Sequence, residues 1–310
     1  MQDFVAGYVR LHVSGELADR AAHARARMAC CDLCGRRCRI DRTLRPGVCR
    51  LGTRARVASW GPHHGEEDPL RGWRGSGTIF FASCNLRCLY CQNHTISQEI
   101  TAAEVEPSAL AAIMLGLQRQ GCHNINLVSP SHVVAPILEA LDLAAAAGLR
   151  LPLVYNTGGY DSLEALELLD GVIDIYMPDM KYASTAIARR LSRVLDYPTV
   201  NRAAVRQMHH QVGRLVLDDD GLAVRGLLVR HLVLPGGLAG TSAIARFLAE
   251  EVSPDTYVNL MDQYHPAHRA REHPPLDRPI TPDEYAQALA ATHRAGLNRL
   301  DGRTKSRARI

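Results

Sequence analysis

From Thr78 onward, short apolar runs alternate with stretches whose apolar residues recur at helical spacing. TIFFAS precedes PSALAAIMLGLQRQ, INLVS precedes APILEALDLAAAAG, LPLVYN precedes SLEALELL, and VIDIYM precedes STAIARRLSRVL. GLLVRHLVLPG then leads to SAIARFLAEEV, and TYVNLMDQY to PDEYAQALAATHRAG. Runs that are apolar throughout predict strands buried on both faces, as in parallel sheets. Strand–helix units of this kind, six in succession and joined by right-handed crossovers, predict an α/β barrel or partial barrel over residues 78–300. Within it, residues 197–225 read as an insertion: a helix, then LVLDDDGLAV as a hairpin turning over Asp-Gly.

Ahead of the barrel, residues 1–60 form a cysteine-rich module, and the Gly/Pro-containing stretch 61–77 reads as a linker and candidate active-site lid. The last residues, 301–310, read as a solvated tail. A chain of 310 residues with 46% hydrophobic and 22% charged residues is that of a globular protein with a sizeable core. The net charge of +4 is small and scattered, which gives nucleic-acid binding no support. Neither a secretory leader nor a long apolar run stands out, so the expected location is the cytoplasm, away from membranes.

In a reducing compartment, nine cysteines in clusters argue for metal or redox chemistry over disulfides. Cys84, Cys88 and Cys91 follow TIFFAS directly, on the face where a barrel's reacting groups gather. A structural zinc site wants four protein ligands, whereas three thiolates on one loop suit three irons of a [4Fe-4S] cluster, with the fourth iron open. Three buried thiols without metal, or a three-cysteine zinc site, are the alternatives. Cys31, Cys34, Cys38 and Cys49 provide four ligands and fit structural zinc and an auxiliary iron–sulfur cluster equally by count. Cys30 is an extra thiol beside that set, and Cys122, ahead of INLVS, reads as a small buried hydrophobe.

CNLRCLYC, with Tyr90 before its last cysteine, resembles the signature of radical S-adenosylmethionine (SAM) enzymes. RGSGTIFFASCNLRCLYCQN, GCHNINLVSPSH, LVYNTGGY, VIDIYMPDMKY, VRHLVLPG and TYVNLMDQY, in that order, resemble the relatives of pyruvate formate-lyase activating enzyme, and the N-terminal cysteines resemble its PflX-like branch. The resemblance implies an α/β fold, a partial (β/α)6 radical SAM barrel with an N-terminal cysteine-rich metal-binding module. It also implies reductive cleavage of SAM at the cluster and hydrogen abstraction from substrate, with a flavodoxin-type protein as electron donor.

Residue by residue, the resemblance implies further contacts. Most radical SAM enzymes carry Gly-Gly-Glu after the second strand; this chain has Ser129-Pro130-Ser131-His132, so Ser129 or Ser131 would meet the SAM ammonium and His132 would point at substrate. Asn156 and Thr157 match positions on the ribose or methionyl side, or form a polar turn. Asp179 and Lys181 match an Asp-x-Lys polar cluster, and Lys181 is one of two lysines, with Lys305, in an arginine-using chain. Arg230 is expected inside the barrel. His63, His64, Glu66, Glu67, Gln263 and His265 are candidates for substrate contact, although loop histidines such as those of HPAHR are commonly just solvated. The branch includes the carbohydrate epimerases of avilamycin-type oligosaccharide antibiotic biosynthesis, which implies a sugar substrate and a hydrogen donor, Cys30 or Tyr264. The other reading is an activase that abstracts a glycine hydrogen from a partner protein.

Overall fold

The computed structural model describes residues 4–302 and 304; the tail expected at 301–310 lies mostly outside the described residues, as does Lys305. In chain order the strands are β1 (Ala55–His63), β2 (Ser76–Phe81), β3 (Glu104–Val105), β4 (Ile125–Val128), β5 (Leu153–Thr157), β6 (Ile175–Pro178), β7 (Val216–Leu217), β8 (Ala223–Leu232) and β9 (Tyr257–Met261). The helices are α1 (Gly7–Ser14), α2 (Glu16–Arg27), α3 (Asp68–Arg71), α4 (Pro107–Arg119), α5 (Val134–Ala146), α6 (Leu163–Leu169), α7 (Thr185–Ser192), α8 (Tyr197–Val212), α9 (Thr241–Phe247) and α10 (Pro282–Arg294).

The fold is mixed α/β around a sheet that is mainly parallel. β2, β4, β5, β6, β8 and β9 pair in that order, all parallel, and they are the six apolar runs. β1 adds antiparallel to β2, and β3 to the first residues of β1. Beyond Arg56, β1 is an edge, which is why Pro62 sits in a strand although it lacks an N–H. The stretch 61–77 is therefore more than a loop: it completes β1 and contains α3.

Strand periodicity separates two faces. Ile79, Phe81, Ile125, Leu127, Leu153, Tyr155, Tyr176, Val229 and Val258 turn toward the helices and join the main core. Their neighbours Val154, Ile175, Met177 and Leu228 turn the other way and, with Leu70 of α3 and Leu215, form a small apolar plug. Leu70 comes from the supposed lid, and Asn259 Nδ2 on β9 donates to Glu67 Oε1 at 2.7 Å. Residues 67–71 thus pack against the plug and tie it to β9 and, through Asn124 Nδ2 donating to Leu70 O at 2.8 Å, to the start of β4.

The N-terminal helices share the main core: Tyr8, Leu17, Ala24 and Met28 belong to it. Asp174, ahead of β6, accepts the N–H of Gly7 at 3.0 Å and of Leu153 at 2.9 Å, joining the chain start to β5. Residues 197–225 form α8 and a β7–β8 hairpin in which Asp218 Oδ1 accepts the N–H groups of Asp220 and Leu222.

Candidate functional site

At the C-terminal ends of the parallel strands, in-register residues form two successive rows: Phe80 pairs with Val128 and Val128 with Asn156, and, two residues further along, Arg230 pairs with both Asp179 and Asn259. These six side chains line a cavity of about 400 Å³. Cys88, Tyr90 and Cys91 line it from the loop after β2, His63 from the end of β1, Glu66 and Glu67 from the stretch that follows, Leu232 and Met261 from the last strands, and Gln263 from just beyond β9.

The polar centre is Asp179. Lys181 Nζ donates to its Oδ2 at 2.6 Å and Arg230 Nε to its Oδ1 at 2.9 Å, while Arg230 Nη2 donates to Asn156 Oδ1 at 2.6 Å. Burial alone would raise the Asp179 carboxyl, but the two cations hold it below the usual carboxylate range. Burial likewise works against the charge on Lys181 and on Arg230, and Asp179 more than offsets it. All three are ionised, and Lys181 and Arg230 keep N–H donors that suit a carboxylate, while Glu66 and Glu67 bring two carboxyl groups to the same cavity.

Below the cysteine loop lies a hydroxyl chain. Tyr182 donates to the Tyr90 hydroxyl at 2.7 Å and sits 2.6 Å from Ser192 Oγ, which lies 2.9 Å from Cys88 Sγ. Burial raises the tyrosine hydroxyls far above their ordinary range. Tyr197 and Asn201, one turn apart on α8, hold the strand-end loops: Tyr197 Oη accepts the Lys181 N–H at 3.1 Å, and Asn201 Nδ2 donates to Gly159 O and Asp179 O. None of Tyr182, Ser192, Tyr197, Asn201 and Asn259 was picked out from the sequence. Asn259 had a signal, an amide inside an apolar strand; Tyr197 and Asn201 had only their shared helix face.

The other expected residues lie as follows. Ser131 Oγ is 2.9 Å from Thr157 Oγ1, which donates to Asp161, so both are committed to a buried network behind the cavity. Ser129 has a left-handed backbone and donates its N–H to Asn156 O. His132 is buried, one ring nitrogen 3.0 Å from Ala82 O, and burial pushes it down to about 4. It is packed between β2 and the N-terminal module, where Arg42 holds its carbonyl. His64 is exposed, and His265 meets Gln92 at 3.2 Å. Arg230 lines the cavity while its neighbour His231 turns away to Met180 O and Thr241. Cys30 is exposed, and the Tyr264 hydroxyl donates to Leu276 O at 2.6 Å; neither lines the cavity.

All nine cysteines are free. Leu86 N–H points at Cys84 Sγ at 3.3 Å, and burial pushes the Cys84 thiol up to about 12. In the N-terminal set, the N–H groups of Leu33 and Arg36 point at the sulfurs of Cys31 and Cys34, and Arg42 Nη1 lies 3.7 Å from Cys31 Sγ. Cys34 is also raised by burial to about 12. Among the described residues, no three His, Cys, Asp or Glu side chains converge on one ligating point.

Fold and site together define a mixed α/β protein with a polar cavity at the C-terminal ends of its parallel strands, bordered by a cysteine loop. The chain is 30% identical over 278 residues to the uncharacterized protein MJ0674 of Methanocaldococcus jannaschii, covering 86% of this chain and 75% of that protein, and it belongs to the same family. No protein-family model matches it. A solved structure of TYW1 with a lysine-pyruvate adduct bound overlaps it with a TM-score of 0.42 at 10% identity, over 70% of this chain and 73% of that one, too slight a likeness to bear on the site. Among the described residues, no helix is long and apolar enough to cross a membrane.

Proposed function

We propose that the chain is a radical SAM enzyme with a partial (β/α)6 barrel, in which Cys84, Cys88 and Cys91 hold a [4Fe-4S] cluster and the cavity takes SAM and a sugar substrate. The reading is carried by one observation: Cys88 and Cys91 border the same cavity as Asn156, Asp179, Lys181 and Arg230. The donor set fits the cluster in kind, being three free thiols on one loop, one of which receives a backbone N–H. When bound, the cluster would supply the electron that cleaves SAM, and with it a radical able to take hydrogen from a C–H bond.

This chain's residues bind, orient and exclude water. Lys181 and Arg230, fixed by Asp179, offer their remaining N–H groups to the SAM carboxylate. Phe80, Val128, Leu232 and Met261 supply the apolar wall that keeps water from a reactive species. His63, Glu66, Glu67 and Gln263 stand where sugar hydroxyls would be held. Cys31, Cys34, Cys38 and Cys49 would hold zinc or a second iron–sulfur cluster, and a flavodoxin-type protein would deliver the electron.

The test is anaerobic reconstitution with iron, sulfide, SAM and reductant in deuterated water. 5′-Deoxyadenosine should form, and a sugar should invert at one carbon with deuterium placed there. SAM cleavage that persists in Cys84→Ala ends the radical SAM reading. Sugars left untouched, together with a glycyl-radical signal on a partner protein, end the epimerase reading and favour the activase.

A further inference from the structure

A second cleft, of about 300 Å³, lies on the outer side of the cysteine loop and shares no lining residue with the central cavity. Arg50, Arg87, Arg190, Arg193 and Arg269 line it together with His268, and no carboxylate does. The arginines arrive from four separate parts of the chain: the N-terminal module, the cysteine loop, the end of α7 and the segment after β9. Arginines at the end of a helix complement its dipole, which accounts for Arg190 and Arg193 alone. The meeting of the other three with them has no counter-charge within the cleft. Glu272, outside it, pairs with Arg269.

The guanidinium groups of Arg50 and Arg87 are held by neutral carbonyls that leave their charge uncompensated. Arg50 Nη2 donates to Ser97 O at 3.2 Å and Arg87 Nη2 to Val48 O at 3.0 Å. Planar forks fixed in this way suit the paired oxygens of phosphate. Three of the lining residues, Arg50, Arg193 and His268, have left-handed backbones, a conformation that non-glycine residues seldom adopt and that gathers at binding sites. We propose that this cleft binds a phosphate-class polyanion, a diphosphate or the phosphate end of a larger molecule. Its wall includes Arg87 and Leu89, and the third wall residue Gln98 donates to Cys88 O at 3.0 Å, so an occupant would brace the loop whose inner side faces the central cavity.

The experiment is calorimetric titration of the full chain with sodium diphosphate at low and high salt, without SAM. We expect saturable one-to-one binding that weakens with salt, and at least a tenfold loss of affinity in Arg87→Ala and in Arg190→Ala. Arg190 is exposed, so its variant separates binding from folding. Arg214→Ala, remote from the cleft, should bind as the parent does. Absence of diphosphate binding, binding by Arg87→Ala and Arg190→Ala as tight as the parent's, or binding of an acidic protein without any affinity for diphosphate overturns the proposal.

Discussion

Arg230 and Asp179 are joined twice: their backbones form a parallel bridge between strand ends, and Arg230 Nε donates to Asp179 Oδ1 at 2.9 Å. Strand register sets the ion pair, so the charged centre of the cavity is as rigid as the sheet.

Removing the anion should cost more than removing either cation. Asp179→Ala leaves Lys181 and Arg230 facing each other in a mostly buried site, and the expected loss is about 3–5 kcal/mol. Lys181→Met leaves the Arg230 pair intact and should lose distinctly less. Urea unfolding at pH 7 measures both, and equal losses would contradict the reading of Asp179 as the shared counter-ion.

His231 should make the fold acid-sensitive. Burial is the largest influence on its ring and pushes it down to about 4 from an ordinary value of about 6.5. A depressed histidine contributes stability that is present above its unfolded value and lost as pH falls through its folded one, so the window runs from pH 6.5 down to 4. The loss is on the order of 3 kcal/mol. Asp174, raised by burial to about 6, acts in the opposite sense: its contribution is complete below its unfolded value and fades as pH rises through 6. Comparing the pH dependence of unfolding in the parent and His231→Asn isolates the histidine; an unchanged slope rules it out.

Gly159 packs closely against Asn201 and the carbonyl of Asp179. Its φ is +73°, and an added Cβ would lie 2.2 Å from both Asn201 Nδ2 and Asp179 O. Gly159→Ala should therefore destabilise by about 3 kcal/mol, from overpacking and left-handed strain together. Thermal unfolding checks the cost. An alanine variant as stable as the parent would mean that the Asp179 loop yields freely.

If the two cysteine sets hold metal as proposed, they should hold it separately. Protein isolated anaerobically is then expected to lose metal from the N-terminal set in Cys34→Ala and keep it in Cys88→Ala, as read by elemental analysis. Identical losses in both variants would mean that the sets are one site.

Six continuous apolar runs made the parallel strands legible, because a strand buried on both faces needs no partner's identity to be recognised. Asp179 and Lys181 stood out through the resemblance of their Asp-x-Lys, and Arg230 as a charge inside an apolar strand. The strand end and the helix within 61–77 were not legible for a local reason: Gly and Pro content describes backbone freedom and says nothing of Leu70 being buried in the plug. Ser131 and Thr157 were expected at the cofactor, but each finds a hydroxyl partner across neighbouring strand-end loops, a pairing that spans 26 residues.

Local pattern was thus enough for the strands, their order of appearance and the cysteine loop, since periodicity and residue chemistry act over a few positions. Packing alone decided that α8 supplies Tyr197 and Asn201 beneath Asp179, that residues 67–71 join the plug and β9, and that arginines from four segments meet in one cleft. Contacts between groups distant in sequence depend on register and crossing geometry, and no short window of residues encodes either.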